Sequence, residues 1–415
     1  MKINKVHIRN FKSVVDLSLD LGSINVFIGE NGSGKSNILE ALAFTAAAAA
    51  AKLDNEFLVS RGIRVTDPRF MRSAFEDISE NPVLVDVEDE RGLRLSFEIG
   101  TSGDTPYPKW KSQVKADIPP NLIPRRNEEL RKVIGEKPIT DDVNMSEVDK
   151  FFRFFEESLK SSELPVPVVP EGQKKSVDRW FRSLVSSLAR HNMELLFSDF
   201  IIYSPETSAL RTFEREGQIL PLGIRGEGLL KLLRVLASEG KDAWSDLQQN
   251  LGLLDWFSGI EIDPDSAFPE QSVRLRDRFM APSQPAFDQR SANEGFLYLL
   301  FFFALISSKD TPWFFGVENI DTSLNPKACA ELMRRLAVLT MKHQKQVLLT
   351  THNPSLLDGL NIHDDNQRLF VVFRNRNGHT SIRRVHPPQP IGDDLPIKLS
   401  DAFTRGLLGG IPQNF

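Results

Sequence analysis

Cysteine is almost missing: Cys329 stands alone among 415 residues. No intrachain disulfide can form, and a reducing compartment is expected. Long apolar runs are missing too. The longest, Phe296 to Ile306, has eleven residues, about half of what a bilayer-spanning helix needs, so no membrane contact is expected. Neither charge sign dominates, since 51 Lys and Arg stand against 56 Asp and Glu. A nucleic-acid contact would therefore need a local basic face. Met1 to Asn10 contains no uninterrupted apolar stretch of the secretory kind. No internal repeat of about 20–50 residues is visible, and no heptad pattern survives over three or four repeats. What is left is a cytosolic globular chain, 40% hydrophobic and 26% charged, long enough to bury a sizeable core without a staple.

The pattern that is present begins as strand, turn, strand, loop, helix. Ile3, Val6 and Ile8 precede a turn, Leu17 and Leu19 alternate with polar residues, and Ile24 to Ile28 is a short apolar run suited to a central strand. A glycine-rich loop follows, then an alanine-dense helix from Asn37 to Lys52. Val83 to Glu88 and Leu93 to Ile99 alternate around Asp89 to Gly92 and predict a hairpin. From about 101 to 284 the character changes. Proline recurs, and two aromatic helices are expected at Glu147 to Lys160 and Ser176 to Leu196, joined by a stiff connector, Leu164 to Pro170. Strand and helix alternate again after residue 290: a helix from Gly295 to Ser307, strands at Trp313 to Val317 and Val347 to Thr351 with the helix Lys327 to Lys342 between them, then a hairpin of Leu369 to Phe373 and Ser381 to Val385. Two halves of one α/β domain, 1–100 and 285–395, are expected around a mostly helical insertion, 101–284, with a tail at 396–415.

Gly29-Glu-Asn-Gly-Ser-Gly-Lys-Ser36 matches G-x-x-x-x-G-K-[ST] between a buried strand and a helix, the context that motif requires. Backbone N–H groups of Asn31, Gly32, Ser33 and Gly34 would wrap a phosphate, helped by the helix dipole. Lys35 would neutralise β/γ oxygens, and the Ser36 hydroxyl would help hold Mg²⁺. ATP is the expected ligand. A second buried strand ends in Glu318, followed by Asn319-Ile-Asp-Thr-Ser-Leu-Asn-Pro326, and a third ends in Thr350-Thr-His352. These endings put a carboxylate and an imidazole at the sheet edge where α/β ligands bind.

The combination resembles the ATP-binding-cassette ATPases of the RecF and SMC branch, which includes ATPases of bacterial phage-defence systems such as the OLD family. The resemblance covers about 1–100 and 285–410. It implies an α/β P-loop head that pairs with a second copy around ATP, or forms a higher oligomer. In that pattern Ile8 to Ser13 is the first strand, Gly29 to Ser36 the Walker A loop, Glu318 the Walker B acid, Ser323 to Pro326 the D-loop and His352 the switch histidine. The signature motif, which would reach the partner's γ-phosphate, corresponds to Ser291 to Leu300, with Asn293 in the serine slot and Gly295 in the second glycine slot. A rival, Arg225-Gly-Glu-Gly228, lies far along the chain from the Walker B strand. Two departures stand out. Asn319 occupies the place of the catalytic glutamate, and an amide cannot accept a proton from water as a carboxylate does, so slow hydrolysis is expected. The other register would make Glu318 the base but leave Val317 at the magnesium position. The family's Q-loop glutamine is also missing, with a stand-in sought within Glu76 to Glu80.

Other residues carry weaker signals. Lys109, Lys111, Lys115, Arg125, Arg126, Arg131 and Lys132, interspersed with Tyr107 and Trp110, form either a DNA grip or a solvated face. His363 with Asp364 and Asp365 reads as an exposed loop before a metal pair. Too little chain follows His352 for the fused nuclease of OLD proteins, so output chemistry is expected on a separate effector, a nuclease or toxin. A RecF-type ATPase that binds DNA itself is the second reading, and an unrelated P-loop kinase the third.

Overall fold

The computed structural model describes residues 2–75, 78, 80–102, 109–117, 119, 197–212, 221–239, 241–262, 273–284, 286–387 and 398–409. The expected helices 147–160 and 176–196 and the connector between them lie outside these residues.

Two sheets sandwich one helix. The first is antiparallel: β1 (Ile3–Phe11), β2 (Val14–Asp20), β4 (Val83–Asp89), β5 (Arg94–Ser102) and β6 (Lys109–Asp117), in the order β2-β1-β4-β5-β6. The second is mostly parallel and has the order β14-β13-β3-β12-β11-β7. It is built from β3 (Ile24–Ile28), β7 (Ile202–Tyr203), β11 (Phe314–Val317), β12 (Gln346–Thr350), β13 (Gln367–Arg374) and β14 (Thr380–Val385). Strands β3, β11 and β12 are buried along their whole length, which is why they read as unbroken apolar runs.

The helix Lys35–Ala49 lies between the sheets, and every residue from Ile38 to Ala48 is buried. That accounts for its alanines: covered on all sides, the helix takes small residues where a strand comes close and has no need of an exposed polar face. Gly316 of β11 serves the same close approach, because a Cβ there would stand 2.9 Å from Leu39. On the opposite face of the second sheet pack the helices Glu294–Ser307 and Pro326–Lys342. The eleven-residue apolar run is the buried body of the first of these. Among the described residues no helix is long and apolar enough to cross a membrane.

The stretch expected to be mostly helical carries strands as well. β6 extends the antiparallel sheet past residue 100, and β7 joins the parallel sheet beside β11. Helices Thr207–Thr212, Leu229–Glu239 and Lys241–Leu251 and a small sheet of β8 (Phe257–Glu261), β9 (Arg274–Asp277) and β10 (Phe287–Asp288) make up the rest of its described part. Within β6 the basic and aromatic residues separate by face. Lys109, Lys111 and Lys115 are exposed, whereas Trp110 packs edge-on against Phe44 at 4.9 Å between ring centroids. Trp110 is a core residue and offers no platform for a base. Tyr107, Arg125, Arg126, Arg131 and Lys132 lie outside the described residues.

Candidate nucleotide site

Strands β3, β12 and β11 run parallel with a continuous register, Val26 beside Leu349 and Leu349 beside Val317. Their C-terminal ends therefore meet at one edge, and each delivers a functional segment there: Gly29 to Ser36 after β3, Glu318 and Asn319 after β11, Thr351 and His352 after β12. This is where an open α/β sheet binds its ligand.

The P-loop turns tightly against the β13–β14 hairpin. Gly29 has φ +148° and Gly34 φ +109°, conformations that L side chains rarely adopt. Both also lack space: a Cβ would fall 2.0 Å from the Val372 carbonyl oxygen at Gly29 and 2.0 Å from Thr380 Oγ1 at Gly34. Gly34→Ala should consequently cost about 1–3 kcal/mol of stability and distort the loop. Urea denaturation together with nucleotide titration checks this; an alanine variant as stable and as avid as the parent would contradict the packing.

Charge is concentrated around Lys35. Its ammonium donates to the carbonyls of Gly29 and Glu30 at 2.8 and 2.9 Å. Burial pushes its pKa down to about 8, against the pull of Glu318 and Glu30. His352 is also lowered, first by burial and then by the Lys35 charge, with Asp321 acting in the opposite direction. Lys35 thus lies within electrostatic reach of both Glu318 and His352. Asp321 accepts a hydrogen bond from Thr351 Oγ1 at 2.6 Å, tying the segment after β11 to the segment after β12.

Glu318 is half-buried, and its Oε1 is enclosed without a hydrogen-bond partner among the described residues. An orphaned carboxylate oxygen is costly, and a hard cation would satisfy it. Ser36, half-buried on the first turn of the P-loop helix, supplies the matching hydroxyl. One carboxylate, one hydroxyl and phosphate oxygens suit Mg²⁺, which seldom uses an all-protein cage. No group of three His, Cys, Asp or Glu that could hold a metal occurs among the described residues, and His363 is exposed.

Asn319 is exposed and has φ +50°, a region that asparagine tolerates better than most residues. Its N–H is fixed by Thr350 Oγ1 at 3.0 Å. Ser323, at φ +60°, donates through Oγ to Glu294 Oε2 at 3.1 Å. A Cβ on Gly295 would meet the Ser323 carbonyl oxygen at 3.1 Å. The start of the helix Glu294–Ser307 and the loop after β11 are therefore one packed unit. Asn293 caps that helix by accepting from Phe296 N at 2.8 Å, which leaves its amide N–H₂ available.

Several contributors have no motif. Glu40, one turn along from Ser36, is fully buried and ion-paired with Lys12 and with Arg64 Nε, the latter at 2.5 Å. A carboxylate buried so deeply requires that pairing. Burial alone would lower the Arg64 guanidinium, but the Glu40 hydrogen bond and charge, with Glu318 beyond, more than offset it. Strand β7, only two residues long, lies directly beside β11, and Glu318 N donates to Tyr203 O at 2.9 Å. The rival segment around Arg225 packs on the continuation of this strand: Ser204 N donates to Ile224 O and Glu206 N to Arg225 O, at 2.8 and 2.9 Å. Distant along the chain, it is near β11 in space. In the stretch considered for the missing Q-loop glutamine, Glu76 and Asp77 fall outside the described residues.

A loop of this form on a parallel sheet, with a histidine after the adjacent strand and an acid after the strand beyond it, defines a P-loop ATPase head of the RecF/SMC-like class. The chain belongs to the family described as "AAA domain, putative AbiEii toxin, Type IV TA system", which it matches over residues 24–358. The crystal structure of the SmcHead bound to the C-winged helix domain of ScpA aligns over 93% of this chain and 98% of that chain, with a TM-score of 0.51 and 13% identity; this likeness concerns the fold. The DNA replication and repair protein RecF of Lactococcus lactis subsp. cremoris is 45% identical over 47 residues, 11% of this chain and 13% of RecF. The shared segment is thus a small fraction of that protein's length.

Proposed function

We propose that the chain is a cytosolic, ATP-gated switch: two copies close around ATP, and the closed pair controls a separate effector, a nuclease or toxin, in phage defence. The hydrogen bond between Glu294 and Ser323 carries this reading. It couples the Asn293–Gly295 segment to the loop that follows Glu318, so that one rigid surface can respond to nucleotide and meet a second copy. In the cycle, P-loop amides and Lys35 hold the β- and γ-phosphates. Ser36 and Glu318 would hold Mg²⁺, which when bound neutralises phosphate charge. His352 donates to the γ-phosphate, and Asn319 orients the attacking water without accepting its proton, so turnover is slow and the closed state persists. Asn293 and Gly295 complete the partner's site.

Gly295→Arg should leave ATP binding by the monomer intact and abolish ATP-dependent association. Light scattering checks it, and equal assembly of variant and parent would reject the arrangement. Among the described residues, the RecF-type reading, direct DNA binding, is favoured by the exposed lysines of β6, and it would require salt-sensitive, ATP-dependent duplex binding by the isolated protein.

A further inference from the structure

The P-loop is held from behind by side chains of the β13–β14 hairpin. Arg374 Nε donates to Gly32 O at 2.9 Å, and Thr380 Oγ1 donates to Ser33 O at 2.9 Å. Two successive loop carbonyls are thus fixed by residues far away in the chain. Arg374 is itself braced across its hairpin, with Nη1 donating to Gly378 O at 2.6 Å. Thr380 is buried, and its hydroxyl lies 2.7 Å from Ser13 Oγ. Ser13 Oγ in turn accepts from Asn37 Nδ2 at 2.6 Å. Each hydroxyl has one proton to give. Because Thr380 spends its proton on Ser33 O, Ser13 must donate to Thr380, and the chain runs Asn37 to Ser13 to Thr380 to Ser33 O in one direction. Thr380 N also donates to Ser13 O at 2.8 Å, which locks the β1–β2 turn into the same network.

In a planar trans peptide the carbonyl and the following N–H point in opposite directions. Holding Ser33 O against Thr380 turns the Gly34 N–H away from the hairpin, and that N–H has no partner among the described residues. Holding Gly32 O against Arg374 fixes the Ser33 peptide as well, but its N–H is taken by Glu30 O at 3.2 Å, so Arg374 braces the turn that leads into Gly34. The loop therefore does not adopt its shape unaided.

We propose that Thr380 and Arg374 are positioning residues for phosphate binding: Thr380 aims the Gly34 amide by fixing the carbonyl on its far side, and Arg374 holds the turn from which that amide projects. This rests on reading residues 29–36 as the nucleotide site. The phosphate they serve is the one common to ATP and ADP, because the anchored peptides lie in the loop itself and not on the segments after β11 and β12.

Calorimetric titration of Thr380→Val, Thr380→Ser and Arg374→Gln with MgATP and with ADP tests the proposal. Thr380→Val keeps the shape and loses the donor, so affinity for both nucleotides should fall about tenfold and by the same factor. Thr380→Ser keeps the donor and should bind like the parent, a rescue that simple packing would not give. Arg374→Gln, at an exposed side chain, should weaken both nucleotides similarly and carries the test if Thr380→Val does not fold. Parent-like affinity in Thr380→Val or Arg374→Gln, while Lys35→Ala loses binding, would overturn the proposal and leave the nucleotide site standing. A parent protein that binds neither nucleotide would remove the site and the proposal together.

Discussion

Replacing Asn319 with glutamate should accelerate steady-state phosphate release by about 10²-fold or more and shorten the ATP-bound state in proportion. The gain comes from a carboxylate that can accept the proton of the attacking water, assistance typically of 10²–10⁴-fold, or about 3–5 kcal/mol of barrier. The backbone opposes it. Position 319 has φ +50°, where glutamate is strained by roughly 1–2 kcal/mol, so the chemical gain should prevail. Asn319→Ala carries similar strain without a base and should remain slow, which separates the two effects. A parent enzyme that is already fast, and that neither substitution changes, would mean that the base lies elsewhere. Glu318 would then be the carboxylate that activates water.

Lys35→Ala should weaken ATP binding by about 30–150-fold, the loss of a charge-assisted contact of roughly 2–3 kcal/mol, and should abolish ATP-dependent association. The ammonium has a second signature. In the free protein burial holds it at about 8, and phosphate oxygens brought beside it stabilise the charged form and raise that value. Below about pH 8 the ammonium is already formed. Above it, ATP must draw a proton in, so affinity should fall as pH rises from 8 toward the ordinary lysine range near ~10, with net proton uptake. Titrations in two buffers of different ionisation heat measure that uptake, and Lys35→Ala should eliminate it. Unchanged affinity in the alanine variant would remove residues 29–36 as a phosphate site.

The parallel core was legible in sequence because its strands are buried on both faces and leave no polar alternation to confuse them. Ile24–Ile28, Phe314–Val317 and Gln346–Thr350 match the apolar runs to within a residue at either end, and the glycine-rich loop falls between strand and helix as its spacing implies. The edges were harder. β6 alternates lysine with Trp110, Val114 and Ala116, a pattern that serves an edge strand and a basic patch equally well until Phe44 is seen against Trp110. β7 is too short for any periodicity, and its identity as the neighbour of β11 comes from hydrogen bonds made across more than a hundred residues. The polar scaffold behind the P-loop was out of reach for the same reason. Ser13 and Thr380 are 367 positions apart, and the Ile8 to Ser13 segment gives no sign of its partner across the fold. Asn319 is the opposite case: its backbone is visible, exposed at φ +50° after β11, whereas its place in the water-activating slot rests on the resemblance alone and awaits the phosphate-release measurement.

ATP-driven pairing that outlasts binding is the central property expected of the protein. Multi-angle light scattering on the parent protein, run in parallel with a phosphate-release assay on the same MgATP-loaded sample, tests this most directly. The expected result is one chain mass without nucleotide, a doubled or higher mass with MgATP, and return to the single mass only as phosphate slowly appears, with Lys35→Ala at the single mass throughout. A protein that binds ATP and releases phosphate while its mass never changes would contradict it.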